Sequence, residues 1–314
     1  MFRIVNALRC YAAYLFSLCG RIRVRHMPMF VSVEPANICQ LRCPECPVGQ
    51  RANSANAQHF MSMPVWQRVI EQVAPYAYTM QFYFQGEPLL HNDLPQMIAQ
   101  AHGKGLYTIV STNAQAMTSD LADKLAAAGL NRIIVSMDGL TPETYNSYRV
   151  GGNIDKCRQA LLWLRQAKQR YNKRMIIELQ CLRLRTNEHE WQTFKQQYRV
   201  MGADRLVLKT AQLYDYADGH PLMPSDNRYC RYEKAGDGRY HRKRLRKACF
   251  RVWSGCVITT DGTVLPCCYD KSAQYAYGNI MNTDLRMLFT SDKARAFRQA
   301  AWREQPLICK ECWK

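Results

Sequence analysis

From residue 29 onward the chain alternates short apolar runs with longer segments whose apolar residues return every three or four positions, the two periods of strand and helix. Six runs read as strands: "MFVSVEP", "YTMQFYFQGEP", "LYTIVSTNA", "NRIIVSMDG", "RMIIELQCLRL" and "DRLVLKTA". Helical patterns fill the gaps. "SDLADKLAAAG" is one, with Ser119 placed to cap its start and Gly129 to stop it; another opens at Thr141, with Pro142 in its first turn. Six βα repeats predict an α/β fold with a parallel sheet, open or closed into a barrel, and ligand loops at the strand C-termini. The stretches "QGEP", "STNA" and "SMDG" sit at such ends, as does a cysteine-rich loop after the first strand.

The first 25 residues, "MFRIVNALRCYAAYLFSLCGRIRVR", begin basic and turn apolar in the manner of a signal peptide. No small-x-small cleavage site follows, however, and Arg9 interrupts the run. On a helical projection Ile4, Leu8, Tyr11, Leu15 and Leu18 share one face, while Arg3, Asn6, Arg9 and Ser17 lie opposite. Such a helix is too short and too charged to span a bilayer. Its apolar face is expected to pack on the domain that follows; a second reading lays it on a membrane surface beside "RIRVRH". The expected organisation is a helix and basic linker over 1–28, a βα domain over 29–225, and a basic linker with a small cysteine-rich module over 226–314.

Composition narrows the class. A hydrophobic fraction of 47% over 314 residues, without low-complexity tracts, describes a globular chain. The formal net charge is +18, from 43 basic and 25 acidic residues, and a dense part lies in "RYCRYEKAGDGRYHRKRLRKACFR", 228–251. Such a run is ordinarily a solvated loop. No helix-turn-helix and no aromatic-interleaved RNA motif accompanies it, so an anionic small-molecule substrate or an anionic surface is favoured over specific nucleic-acid recognition. Fourteen cysteines in C-x2-C style groups point to a cytoplasmic metalloprotein, in line with peripheral contact at the inner membrane face if the second reading of the N-terminal helix holds.

The cysteine-rich loop, "NICQLRCPECPVGQ", sets Cys39, Cys43 and Cys46 at C-x3-C-x2-C and supplies no fourth. Thiolate sites for zinc or a closed cluster want four protein ligands, so this loop is either part of a zinc site completed from afar or a cluster with one iron open to another ligand. Its place at a strand end favours the open iron. A second constellation, Cys249, Cys256, Cys267, Cys268, Cys309 and Cys312, occupies the C-terminal third. There "CVITTDGTVLPCC" predicts a hairpin with a type I′ turn at Asp261 and Gly262, followed by a terminal C-x2-C. Spacing alone would favour zinc. Cys10, Cys19, Cys157, Cys181 and Cys230 have no such partners and are expected to be small buried hydrophobes.

Together "EPANICQLRCPECPVG", "YFQGEPLLH", "STNA" and "VSMDGLTPETYNSYRVGG" resemble the radical S-adenosylmethionine (SAM) enzymes over nearly the whole chain from about residue 29. The resemblance implies a partial parallel (β/α)6 barrel, with a [4Fe–4S] cluster on Cys39, Cys43 and Cys46 whose fourth iron is chelated by SAM. Reductive cleavage of SAM then gives a 5′-deoxyadenosyl radical that takes a hydrogen atom from the substrate. By the same resemblance Gly86, Glu87 and Pro88 receive the SAM ammonium on backbone carbonyls, Ser136 and Arg149 hold its carboxylate and ribose region, and Asn113 reaches the ribose. Glu45 departs from the aromatic that much of the family has before the third cysteine, and burial would require it to be solvated or hydrogen-bonded. "GTVLPCC", "YGNI" and the final C-x2-C look like a SPASM module in its shorter, twitch-like form. That implies one auxiliary [4Fe–4S] cluster on Cys249, Cys267, Cys309 and Cys312, with Cys256 and Cys268 as spares.

These implications predict a radical SAM oxidoreductase that dehydrogenates an anionic, sugar-like small molecule and draws electrons from a donor such as flavodoxin or ferredoxin. The alternative is a maturase acting on a ribosomal peptide; against it, the 28 residues before the barrel are too few for a leader-binding domain of about 80 residues. A non-enzymatic metal-binding interaction protein is a third reading, disfavoured by the intact three-cysteine loop and "GEP".

Overall fold

A computed structural model describes residues 2–50, 59–243, 249–310 and 312. In chain order the elements are α1 (Phe2–Leu18), β1 (Phe30–Val33), α2 (Pro47–Gln50), α3 (Met63–Val73), β2 (Thr79–Phe82), α4 (Leu94–Gly103), β3 (Tyr107–Thr112), α5 (Ser119–Ala127), β4 (Arg132–Ser136), α6 (Pro142–Asn146), α7 (Ile154–Tyr171), β5 (Ile176–Arg183), α8 (Trp191–Gln197) and β6 (Arg205–Thr210). They continue as β7 (Tyr232–Lys234), β8 (Tyr240–Arg242), α9 (Arg251–Ser254), β9 (Gly255–Ile258), β10 (Thr263–Leu265), β11 (Gly278–Asn279), α10 (Leu285–Thr290), α11 (Asp292–Arg303) and α12 (Leu307–Lys310). All six strands read from the alternating pattern are present. The chain forms two compact units, one of 1–38, 55–109 and 245–314, the other of 39–54 and 110–244.

In the first unit the strand order is β11-β10-β9-β1-β2, then the start of β3. β1 is parallel to β2 and to β9, with Phe30 opposite Thr79 on one side and Gly255 on the other. The cysteine-rich C-terminal segment thus adds strands to the sheet that carries β1. Val31, Val33, Met80 and Phe82 are buried there, and the apolar stripe of α3 buries Val65, Trp66, Val69 and Ile70, with the Trp66 ring 5.6 Å from Phe82. The β9–β10 turn differs from the expected type I′. Only Gly262 has positive φ (+86°), and its N–H bonds the Thr259 carbonyl at 2.9 Å, so an ordinary turn is followed by a left-handed glycine. The Asp261 carboxylate accepts from the Thr263 N–H and hydroxyl, which fixes that geometry.

The second unit continues from the end of β3 through β4, β5 and β6, and the β4–β5 and β5–β6 pairs are parallel. Ile133, Val135, Ile177, Leu179 and Cys181 are buried in alternation with a mixed row of Arg132, Ile134, Ser136, Glu178 and Gln180; α7 buries Cys157, Ala160, Leu161 and Leu164. Thr118, not Ser119, caps α5, its hydroxyl accepting from the Leu121 N–H at 3.1 Å, while Gly129 ends the helix in the left-handed conformation (φ +81°) as expected. Thr141 caps α6 in a reciprocal pair with Thr144. The basic stretch expected as a loop folds partly into the antiparallel ribbon β7–β8; residues 244–248 of it lie outside the described residues. Tyr232 anchors the ribbon, because its hydroxyl donates to the Leu213 carbonyl and accepts the Leu213 N–H, and its ring stacks on Tyr216 at 4.1 Å.

Candidate functional site

In the second unit, the loop after β1 turns so that Cys46 immediately precedes α2, whose first residue is Pro47. The Cys46 N–H bonds the Cys43 carbonyl at 3.1 Å, and a Cβ on Gly49 would stand 2.8 Å from the Cys43 nitrogen, so only glycine lets the helix close on the loop. The apolar cluster beneath contains Leu41, Cys43, Tyr148, Leu213 and Tyr232, with Cys39 and Cys46 against it. Donors converge on the sulfurs. The Leu41 N–H and the Asn113 side-chain amide point at Cys39 Sγ (3.4 and 3.3 Å), and Arg149 approaches Cys43 Sγ at 3.9 Å. Burial pushes the Cys43 thiol up and Arg149 pulls it back.

Arg149 is set by a residue absent from the expected site. Asp138, fully buried two positions past Ser136, accepts from Arg149 Nε at 2.5 Å and from the Leu182 N–H at 2.6 Å. Burial works against the Arg149 charge, but Asp138 and Cys43 push its pKa up, so the guanidinium stays charged. Its five N–H donors exceed these two contacts, which keeps a carboxylate partner chemically open. The available signal for Asp138 was "SMDG" at the end of a strand. Asn113 faces Cys39 and accepts from Gln40, so in this structure it organises the loop. Ser136 is buried at the end of β4, opposite Gln180 in the register, and the Gln180 Oε1 is buried without a hydrogen-bond partner. Glu45 meets the expectation for a hydrogen-bonded carboxylate: it accepts from the Tyr214 N–H at 2.5 Å and lies 3.3 Å from His220.

In the first unit, "GEP" follows β2. A Cβ on Gly86 would fall 2.2 Å from the Ala36 carbonyl oxygen, and the Glu87 N–H bonds the Ile38 carbonyl at 2.8 Å, one residue before Cys39 in the chain. The Glu87 side chain turns back to accept the Leu89 N–H at 3.1 Å, so its carboxylate is engaged within the segment.

The same unit gathers the C-terminal cysteines. A cavity of about 380 Å³ is lined by Ser32 and Gln81 from the sheet and by Cys249, Cys256, Cys267 and Cys268. Burial pushes the Cys267 thiol up, and Cys268, Cys309 and Cys312 add to the effect by like-charge repulsion. Burial opposes the Arg251 charge, yet Cys268, Tyr83, Cys267 and Cys249 raise its pKa. Five cysteines therefore share one neighbourhood. Cys256, at the wall of the same cavity on β9, has its thiol pushed up to about 12 by burial, with Arg298 pulling it back. The Tyr269 N–H points at Cys267 Sγ at 3.5 Å, repeating the arrangement at Cys39, while Cys268 faces Arg251 at 3.5 Å. The buried Cys230 has a similar backbone contact from Tyr232. Cys10, Cys157, Cys181 and Cys230 are buried as expected; Cys19 is exposed. Among the described residues, no three His, Cys, Asp or Glu side chains meet the geometry of a single metal ion.

A parallel βα domain with a three-thiol loop at a strand end, joined in one chain to a cysteine-rich hairpin module, defines an iron–sulfur protein. Comparison supplies the family: residues 33–178 match the Radical SAM superfamily and 249–313 match the SPASM iron–sulfur cluster-binding domain, so the chain is a radical SAM protein ending in a SPASM domain. Its cofactors are accordingly SAM and [4Fe–4S] clusters. The chain is similar to the PqqA peptide cyclase of Rhizobium meliloti (strain 1021), 25% identical over 310 residues, covering 91% of this chain and 79% of that protein. Among solved structures it resembles SuiB of Streptococcus suis bound to S-adenosylmethionine (TM-score 0.67, 14% identity, 87% of this chain and 68% of that one). It also resembles BtrN in complex with AdoMet and 2-DOIA (TM-score 0.55, 17% identity, 92% and 94%). These likenesses establish the partial-barrel fold. Among the described residues, no helix is long and apolar enough to cross a membrane.

Proposed function

We propose that the chain is a radical SAM maturase that forms a bond within a ribosomally made peptide. The similarity to PqqA peptide cyclase over 91% of the chain carries this reading, and it displaces the small anionic sugar as the preferred substrate. Cys39, Cys43 and Cys46 are assigned to the SAM-binding cluster; the donor set fits, since Cys39 and Cys43 receive N–H groups suited to stabilising thiolates and Cys46 packs against the same apolar cluster. Gly86, Glu87 and Pro88 are assigned to the SAM ammonium through their backbone, Arg149 to its carboxylate, and Ser136 and Asn113 to its ribose side. Cys249, Cys267, Cys309 and Cys312 are assigned to the auxiliary cluster, with Cys268 as the alternate. The division at 28/29 and 225/226 is kept as a functional assignment.

When bound, cluster and SAM supply a one-electron cleavage that yields a radical able to take hydrogen from an unactivated carbon. The protein's share is orientation and charge. Asp138 holds Arg149 in place, Asn113 and Leu41 direct donors to Cys39, and Gly86 permits backbone approach without a side chain in the way.

The test is anaerobic turnover of peptides encoded beside the gene, with dithionite and SAM. A peptide lighter by two hydrogens, and label passing from a deuterated peptide carbon into 5′-deoxyadenosine, is the expected outcome. Peptides left unchanged while a cyclitol or sugar phosphate is dehydrogenated would overturn the proposal. The Cys39→Ala, Cys43→Ala, Cys46→Ala variant should hold about half the iron and release no 5′-deoxyadenosine.

A further inference from the structure

Helix α1 is seated the opposite way from its expected packing. Its buried residues are Asn6, Cys10, Ala13 and Ser17, the narrow polar and small face. Polar anchors hold that face: Asn6 donates to the Met27 carbonyl at 3.0 Å and accepts the Met27 N–H at 2.7 Å. Arg3 donates to the carbonyls of Ala74, Lys104 and Gly105, at the C-terminal ends of α3 and α4. With about 100° between successive residues, Ile4, Leu8 and Leu15 point directly away from that seat. They are exposed, Ile4 by 63%, Leu8 by 66% and Leu15 by 60%, and Phe2 by 77% at the helix start.

The N-terminal stretch that holds this stripe carries one sign of charge. Arg9 is exposed on the helix, and Arg21, Arg23 and Arg25 are exposed on the segment that follows, while the first acidic residue in the chain is Glu34. We propose that the outward face of α1, with Arg21, Arg23 and Arg25 on the segment that follows it, docks on an anionic lipid surface and lies in the interface plane. Charge complementarity selects the occupant: exposed Phe2, Ile4, Leu8 and Leu15, in a stretch that carries arginines and no acidic residue before Glu34, match acyl chains beneath acidic headgroups. At 17 residues the helix is about 25 Å long, suited to lying on a bilayer. Anchoring by side chains that reach main-chain carbonyls leaves Ile4, Leu8 and Leu15 outward, while Tyr11 at the edge of the stripe stacks on Phe250 at 5.0 Å.

The experiment uses the full chain, reconstituted anaerobically, in co-sedimentation with phosphatidylcholine vesicles made with and without phosphatidylglycerol. Binding should require phosphatidylglycerol. Leu8→Ser with Leu15→Ser should weaken it by at least about tenfold, and Arg21→Gln, Arg23→Gln and Arg25→Gln together by several-fold, with SAM cleavage unchanged. Absence of binding to phosphatidylglycerol vesicles, or equal binding to both vesicle types, overturns the proposal. So does a dimer in sedimentation velocity that Leu8→Ser and Leu15→Ser abolish, which would assign the face to a second copy. Loss of peptide turnover in those variants without lipid would assign it to the substrate.

Discussion

Gly86 shows how a single hydrogen in place of a methyl can position a site. The 2.2 Å approach of its missing Cβ to the Ala36 carbonyl is to backbone, which cannot swing aside, so Gly86→Ala must displace either the "GEP" segment or the residues leading into Cys39. Gly86→Ala should cost about 1–3 kcal/mol of stability and weaken SAM binding more than it changes iron content. Equal SAM affinity by equilibrium dialysis would show that the close approach is merely structural. His26 makes a second case, governed by pH. It is 1% exposed, bonded through Nε2 to the Trp253 carbonyl at 2.8 Å, and burial, with some help from Arg298, lowers its pKa from 6.5 to about 4. The folded state then binds fewer protons than the unfolded one between these values, so stability falls as pH drops from 6.5 towards 4 and levels off below. Between pH 7 and pH 5 this group should cost about 2 kcal/mol in denaturant titrations, and His26→Leu should flatten that part of the profile relative to wild type.

Among the elements, the auxiliary module divides into a part held by the sheet and a short C-terminal turn that carries two of the cysteines assigned to the cluster. β9 pairs along its whole length with β1, and β10 with β9, so the hairpin has backbone partners independent of any cluster. α12 is a single turn with only Ile308 buried, and Cys309 and Cys312 flank its end. Cys309→Ala or Cys312→Ala should therefore release the last residues to protease while the hairpin stays protected, and should lose the second cluster but retain SAM cleavage without peptide. Full iron in either variant would remove the pair from the site. The strands were legible because a period of two with β-branched residues is decided locally, and so were the three-thiol loop and "GEP", whose spacing is covalent. The seat of α1 was not. Apolar periodicity says which residues share a face, whereas burial of that face depends on partners such as the Met27 backbone that lie far along the chain. Asp138 stayed hidden for the same reason, since its importance comes from Arg149, 11 residues away, and the Leu182 N–H, 44 away.

At the scale of the molecule the net charge of +18 acts beyond any contact, and the fold determines how much of it is available to a peptide. Part of the basic stretch is already spent on neighbours: Arg228 pairs with Asp226 at 2.7 Å, Arg239 with Asp218 at 3.3 Å, and His241 with Asp237 at 2.8 Å. Lys234 and Arg242 lie on β7–β8, whose Tyr232 and Tyr240 pack against the same apolar cluster as Cys39, Cys43 and Cys46. Acidic side chains of the proposed peptide substrate would meet Lys234 and Arg242 of this ribbon, in the unit that carries the three-thiol loop. Exposed charges more than a Debye length apart, about 8 Å at physiological salt, are largely screened, so the attraction should fade with ionic strength while buried pairs such as Arg149 with Asp138 persist. The peptide KM should accordingly rise several-fold between low and high salt with kcat nearly constant, and SAM cleavage without peptide should barely move. Arg242→Gln with Lys243→Gln should raise KM at low salt and remove most of its salt dependence. A KM indifferent to salt would remove the ribbon charge from substrate binding.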